Sequence, residues 1–195
     1  MAIAQTVVDN GADMIGYIFA DSKRYVEPKI VAEINKNIKG IAKVGVFVNE
    51  KLSLVNEIVE FCNLDYVQLH GDEDVEYCKG VNCKIIKAFR YNENFSVDVV
   101  NRYQQASYIL VDSYQKGIAG GTGKIFSWME AKNTLSKINK PLLIAGGLNI
   151  NNISECIETL KPTGVDISGG VETNGQKDND KIIEILNLIK NGSVK

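Results

Sequence analysis

The chain has one histidine, and its four cysteines, Cys62, Cys78, Cys83 and Cys156, form no CxxC pair. That combination excludes a zinc site built from clustered Cys and His, and it favours free thiols in a reducing cytosol. No apolar run approaches the roughly 20 residues that a membrane-spanning helix needs. The first residues, MAIAQTVVDNGAD, carry acidic groups and no basic segment, so they do not read as a secretory signal. A formal net charge of −2 gives no electrostatic reason to expect a nucleic acid or a membrane surface as partner. No linker or low-complexity stretch divides the 195 residues, and 45% of them are hydrophobic, enough for a core. The reading is one domain over residues 1–195, in the cytoplasm.

What is present is a recurring pattern. Short apolar runs alternate with helix-period segments: Met14 to Phe19, Lys43 to Val48, Tyr66 to Leu69, Lys84 to Phe89, Tyr108 to Asp112, Pro141 to Gly147 and Gly164 to Gly170. Runs this short, nearly continuous and rich in Val and Ile suit strands buried on both faces, as in parallel sheets. Helices are expected between them. Pro28 opens one, Ser53 stands as a candidate cap of another, and further segments start at Asp74, Ser96, Ser127, Ile150 and Asp180. Met1 to Asn10 reads as a helix with no strand before it, burying Ala2, Ile3, Thr6 and Val7 and ended by Gly11. Seven parallel strands and about eight helices point to a (β/α)8, or TIM, barrel lacking its first strand.

In such barrels the site lies at the carboxyl ends of the strands. Two glycine-rich loops follow the last two runs, Gly146-Gly147 and Ser168-Gly169-Gly170, where loops of this fold commonly hold a phosphate; tight turns without a ligand are the alternative. Asp112 closes YILVD beside the glycine-rich stretch Gly117 to Gly123. It reads either as a general acid or as a helix cap. Asp166 in GVDIS is placed to bind ligand hydroxyl or amine groups, or to join a buried polar network. Arg24 in SKRY can grip a carboxylate in bidentate fashion, or lie solvated in its loop. His70 ends YVQLH, with Gln68 two positions earlier on the same strand face, in a catalytic or structural role.

Together these segments resemble the phosphoribosylanthranilate isomerase family. GADMIGYIF with SKRYV, KVGVFVN, YVQLHGDE, VDS with GGTGKIFSW, IAGGLN, and GVDISGGVE with the later KD follow in the family's order along essentially the whole chain. The resemblance implies an Amadori rearrangement of N-(5-phosphoribosyl)anthranilate to 1-(2-carboxyphenylamino)-1-deoxyribulose 5-phosphate in tryptophan biosynthesis, with no metal or organic cofactor. It implies Asp112 as the acid that opens the ribose ring and Arg24 as the grip on the anthranilate carboxylate. It further implies Asp166 beside the amine and hydroxyls, Gly146, Gly147, Ser168 and Gly169 around the phosphate, and Gln68 and His70 in support.

The same resemblance implies a cysteine base in a strand reading roughly K-I-C-G, ahead of GAD, and none of the four cysteines takes that position. The expectation is therefore a shortened, impaired isomerase whose open barrel edges are covered by a second copy of the chain or a shifted helix. Two other readings stand beside it: another phosphate-binding barrel enzyme, such as a sugar-phosphate epimerase, an aldolase or a related aminoaldose isomerase, and a non-catalytic partial barrel that binds phosphate ligands.

Overall fold

Strand and helix alternate along the chain because each apolar run is too short to span more than one strand and each following segment carries a helix-period apolar face. The computed structural model describes residues 1–112 and 127–192, with the side chains of 191 and 192 outside the description. The expected glycine-rich loop Gly117 to Gly123 lies outside the described residues. The chain divides into two units, one of Met1–Ala88 with Tyr103–Ser107, the other of Phe89–Arg102 with Tyr108–Lys195.

In the first unit, β1 (Met14–Ile18), β2 (Ala42–Phe47), β3 (Tyr66–Leu69) and the start of β4 (Lys84–Arg90) pair in parallel, each with the next. The helices are α1 (Ala2–Asp9), α2 (Pro28–Asn37), α3 (Leu52–Cys62) and α4 (Val75–Lys79). Helix α1 ends as expected at Gly11, whose φ is 67°. Gly11 N–H donates to the Val8 carbonyl and Ala12 N–H to that of Val7, the paired bonds of a Schellman motif.

Its buried face overlaps the expected one in part, with Ile3, Thr6 and Val7 half-buried. Ala4 is buried with Ile38 and Ile41, and Val7 and Val8 pack on them, while Ala2 is exposed. Helix α3 also begins earlier than expected. Its N-cap is Lys51, not Ser53, and Leu54 is exposed, so the buried stripe is Val55, Ile58, Val59 and Cys62.

In the second unit, β5 (Ala106–Asp112), β6 (Leu142–Ala145) and β7 (Gly164–Val165) again pair in parallel. The last two are shorter than the runs Pro141 to Gly147 and Gly164 to Gly170, because the glycines leave the ladder with positive φ or enter a 3-10 turn, Gly169–Val171. The helices are α5 (Val97–Val100), α6 (Trp128–Leu135), α7 (Ile153–Leu160) and α8 (Asn179–Gly192). Helix α5, whose expected start at Ser96 is its N-cap, is a single turn.

A hairpin that the sequence reading did not anticipate, β8 (Glu172–Thr173) and β9 (Gln176–Lys177), turns at Asn174-Gly175, both with positive φ as a two-residue type I′ turn requires. Side chains of Asp74, Ser96 and Ser127 cap α4, α5 and α6 by accepting from backbone N–H groups. No described helix is long and apolar enough to cross a membrane.

Candidate active site

The carboxyl ends of β6 and β7 meet through their loops. Gly146 and Gly147 follow β6 with φ of 90° and 69°, conformations that a side chain strains. The Gly147 carbonyl accepts from the side-chain amides of both Asn149 and Asn152, each at 3.1 Å. Asn152 Oδ1 in turn accepts from Asn149 N–H at 2.9 Å. The loop is thus tied down by its own asparagines, while a Cβ on Gly147 would meet open space.

On the other side, a Cβ on Gly170 would run into the Leu148 carbonyl and approach Asn149 Cα to 2.9 Å. The Ser168-Gly169-Gly170 segment therefore lies backbone against backbone on the loop after β6. Two glycine loops are brought together in the same unit, as their sequence position implied.

Asp112 is the last residue of β5, half-buried, with its Cα paired to that of Ala145 and its carbonyl accepting from Tyr91 N–H at 3.0 Å. It does not cap α6, whose N-cap is Ser127, with Oγ accepting from Glu130 N–H at 3.3 Å. The carboxyl thus stands at a strand end without that structural duty. Asp166 is half-buried just past β7, and its N–H donates to the Ile144 carbonyl.

In the first unit, Arg24 is exposed in the turn after β1, where its N–H donates to Ser22 Oγ. Val26 N–H bonds back to the Ile18 carbonyl and holds that turn against the end of β1. Gln68 is buried in β3 and His70 half-buried just beyond it. Gln68 Nε2 lies 3.1 Å from His70 Nδ1, a contact that two residues on the same strand face can make.

The sequence reading missed the charged pair behind this loop. Lys87 of β4 and Glu73 are both buried, their side chains 2% exposed, and Nζ lies 2.8 Å from Glu73 Oε2. Lys87 also donates to the Leu69 and Gly71 carbonyls at 3.2 and 2.7 Å. Glu73 accepts from Asn49 N–H and Gly71 N–H. The network locks the loop carrying His70 to the loop after β2. A lysine inside the apolar run KIIKAF was the available signal, since a charge there needs a partner.

None of the cysteines has the character of a base. Burial pushes the Cys83 thiol up to about 11 and the Cys156 thiol to about 12, and it raises Cys62 and Cys78 as well. Cys62, Cys78 and Cys156 lie within α3, α4 and α7, and Cys83 just ahead of β4. Among the described residues no group of three or more His, Cys, Asp or Glu can hold a metal ion.

Parallel βα units whose last two strands are followed by glycine loops are the architecture of the (β/α)-barrel class. The family model of N-(5'-phosphoribosyl)anthranilate (PRA) isomerase matches residues 2–188. The chain is 44% identical to an N-(5'-phosphoribosyl)anthranilate isomerase of Oceanobacillus iheyensis, across 98% of this chain and 93% of that one.

A crystal structure of phosphoribosyl anthranilate isomerase in complex with reduced 1-(o-carboxyphenylamino)-1-deoxyribulose 5-phosphate superposes with a TM-score of 0.83 at 30% identity, covering 96% of this chain and 92% of that one. A structure of generated monomers of the dimeric enzyme from Thermotoga maritima gives 0.82 at 30% identity, covering 97% and 92%. The chain belongs to the phosphoribosylanthranilate isomerase family, the aldose–ketose isomerases of tryptophan biosynthesis. The lengths matched lend no support to the expectation of a shortened, impaired member.

Proposed function

We propose that this chain isomerises N-(5-phosphoribosyl)anthranilate to 1-(2-carboxyphenylamino)-1-deoxyribulose 5-phosphate. The observation that carries the reading is the close approach of the two glycine loops, which offers backbone donors around a small anion, in a chain matched to the isomerase family along residues 2–188. Gly146, Gly147, Ser168 and Gly169 cradle the substrate phosphate. Asp112 protonates the ribose ring oxygen and so opens the ring to the Schiff base. Loss of the C2 proton and reprotonation of the enolamine then give the ketone.

Arg24 takes the anthranilate carboxylate, for which its planar fork is suited. Asp166 contacts the amine and hydroxyls, and His70, held by Gln68, supports the site. The base is assigned to none of the four cysteines, whose raised thiols are poor proton acceptors near neutrality. The family match spans both units, and residues 1–195 are read as one functional domain. The dimeric Thermotoga maritima relative favours a homo-oligomer. Unpaired cysteines fit a reducing compartment, and the reaction is placed in the cytoplasm.

The test is calorimetric binding of the reduced product analogue and of plain ribulose 5-phosphate to wild type and Arg24→Ala. Arg24→Ala is expected to weaken the carboxylated analogue by about tenfold or more and to leave the sugar phosphate nearly unchanged. Equal affinity of the wild type for both ligands would instead favour a sugar-phosphate enzyme.

A further inference from the structure

We propose that Lys177 is the positioning cation of the phosphate loop, holding the Ser168 peptide and hydroxyl so that their donors face a phosphate. The proposal deepens the phosphate reading above and rests on it.

Lys177 Nζ lies 2.8 Å from the Ser168 carbonyl, 3.2 Å from Ser168 Oγ and 2.9 Å from Glu172 Oε1. An ammonium has three protons, and each is met by a different kind of oxygen: amide, hydroxyl and carboxylate. The hairpin delivers this arrangement. Glu172 and Lys177 are directly paired across β8 and β9, so their side chains leave the ribbon on the same face. The Asn174-Gly175 turn fixes that register. Asp178 closes the hairpin by donating its N–H to the Val171 carbonyl, and its carboxylate takes the Thr173 hydroxyl and starts α8.

Two consequences follow from elementary geometry. Ser168 Oγ accepts from the ammonium, so its own proton turns away from Lys177 and is strengthened as a donor by the adjacent charge. A trans peptide sets its C=O and the following N–H on opposite sides. With the Ser168 carbonyl drawn to Lys177, the Gly169 N–H faces the other way. The Gly169 amide is thereby presented on the side of the loop away from the lysine, and the Ser168 hydroxyl, beside the lysine, keeps its proton for an acceptor other than the ammonium. The ion pair is partly exposed, 33% on the lysine side chain and 11% on the glutamate, so solvent screens part of its contribution to folding.

The experiment is a calorimetric titration of wild type, Lys177→Met and Lys177→Arg with reduced 1-(o-carboxyphenylamino)-1-deoxyribulose 5-phosphate and with its dephosphorylated form. Lys177→Met is expected to lose about ten- to a hundredfold for the phosphorylated ligand and under about twofold for the dephosphorylated one. Lys177→Arg, which keeps charge and donors, is expected to recover most of the loss.

Equal losses for both ligands would make Lys177 a general support of the fold and overturn the proposal. Unchanged phosphate binding by Lys177→Met would overturn it while leaving the phosphate cradle standing. A wild type that does not prefer the phosphorylated ligand would remove the cradle itself and the proposal with it. If Lys177→Met does not fold, Ser168→Ala, which keeps the lysine and removes the hydroxyl it orients, is expected to show the same phosphate-specific loss; its absence would overturn the proposal.

Discussion

The loop after β3 in the first unit and the loops after β6 and β7 in the second are closed in opposite ways. The first is sealed by charge: Lys87 and Glu73 are buried together and satisfied by four backbone groups, the Leu69 and Gly71 carbonyls and the Asn49 and Gly71 amides. The second is shaped by glycine and backbone, with Gly170 pressed on Leu148, Gly147 facing open space, and a partly exposed lysine behind. A sealed charge network makes a rigid support for His70. An arrangement of glycines leaves room and donors for a ligand. The difference separates a loop that is built to hold still from loops that are built to receive a ligand.

The largest effect is expected where charge is buried. Lys87→Met strands the Glu73 carboxylate and is expected to cost about 3–5 kcal/mol in urea unfolding, against under about 1 kcal/mol for Lys177→Met. Similar losses for the two lysines would dissolve the contrast. Adding Glu73→Leu to Lys87→Met is not expected to restore wild-type stability, because Asn49 N–H and Gly71 N–H then lose their acceptor, at about 1–3 kcal/mol each where buried.

Gly170→Ala comes next. The new methyl must displace Leu148 and Asn149, at about 1–3 kcal/mol, with weakened binding of the phosphorylated product analogue. Gly147→Ala meets no atom, so it is expected to cost only the strain of a positive φ, about 1–2 kcal/mol. A thermal melt in which Gly147→Ala unfolds at a lower temperature than Gly170→Ala would contradict the close approach of the loops.

The smallest effect concerns acid. The Asp178 carboxyl is held below the ordinary aspartate value of 3.8, chiefly by the Thr173 hydroxyl, with the Lys181 and Asp180 amides assisting. A lowered carboxyl stabilises the fold above its unfolded value and ceases to do so as pH falls through the folded one. The stability difference between wild type and Asp178→Asn is therefore expected to be level from neutral pH down to about 5 and to shrink only below 3.8. A difference that disappears near neutral pH would contradict that assignment.

Much of this was legible from residue order, for identifiable reasons. Asp74, Ser96 and Ser127 open helices because a short oxygen-bearing side chain can satisfy a free N–H, and all three do so. Ser53 has the same chemistry but lies one residue inside α3, and only the backbone angles of Lys51 reveal where the helix starts. Gln68 and His70 followed from strand alternation.

The partnership of Lys87 with Glu73 did not, because β4 and the loop after β3 meet only in three dimensions and fourteen positions separate the two residues. The hairpin carrying Lys177 was overlooked even though Asn174-Gly175 is a strong turn signal. Its strands are two residues each, too short to show a period. The glycine loops were found by position, but their contact through Gly170 rests on backbone geometry that residue order does not display.

The most direct test of the central claim is turnover of N-(5-phosphoribosyl)anthranilate by the purified chain, followed through its anthranilate fluorescence, beside Asp112→Asn. The account predicts conversion to the deoxyribulose product that falls by about 10²- to 10⁴-fold in Asp112→Asn while binding of the reduced product analogue persists. Equal turnover by wild type and Asp112→Asn, or a wild type that neither converts the substrate nor binds the analogue, would contradict it.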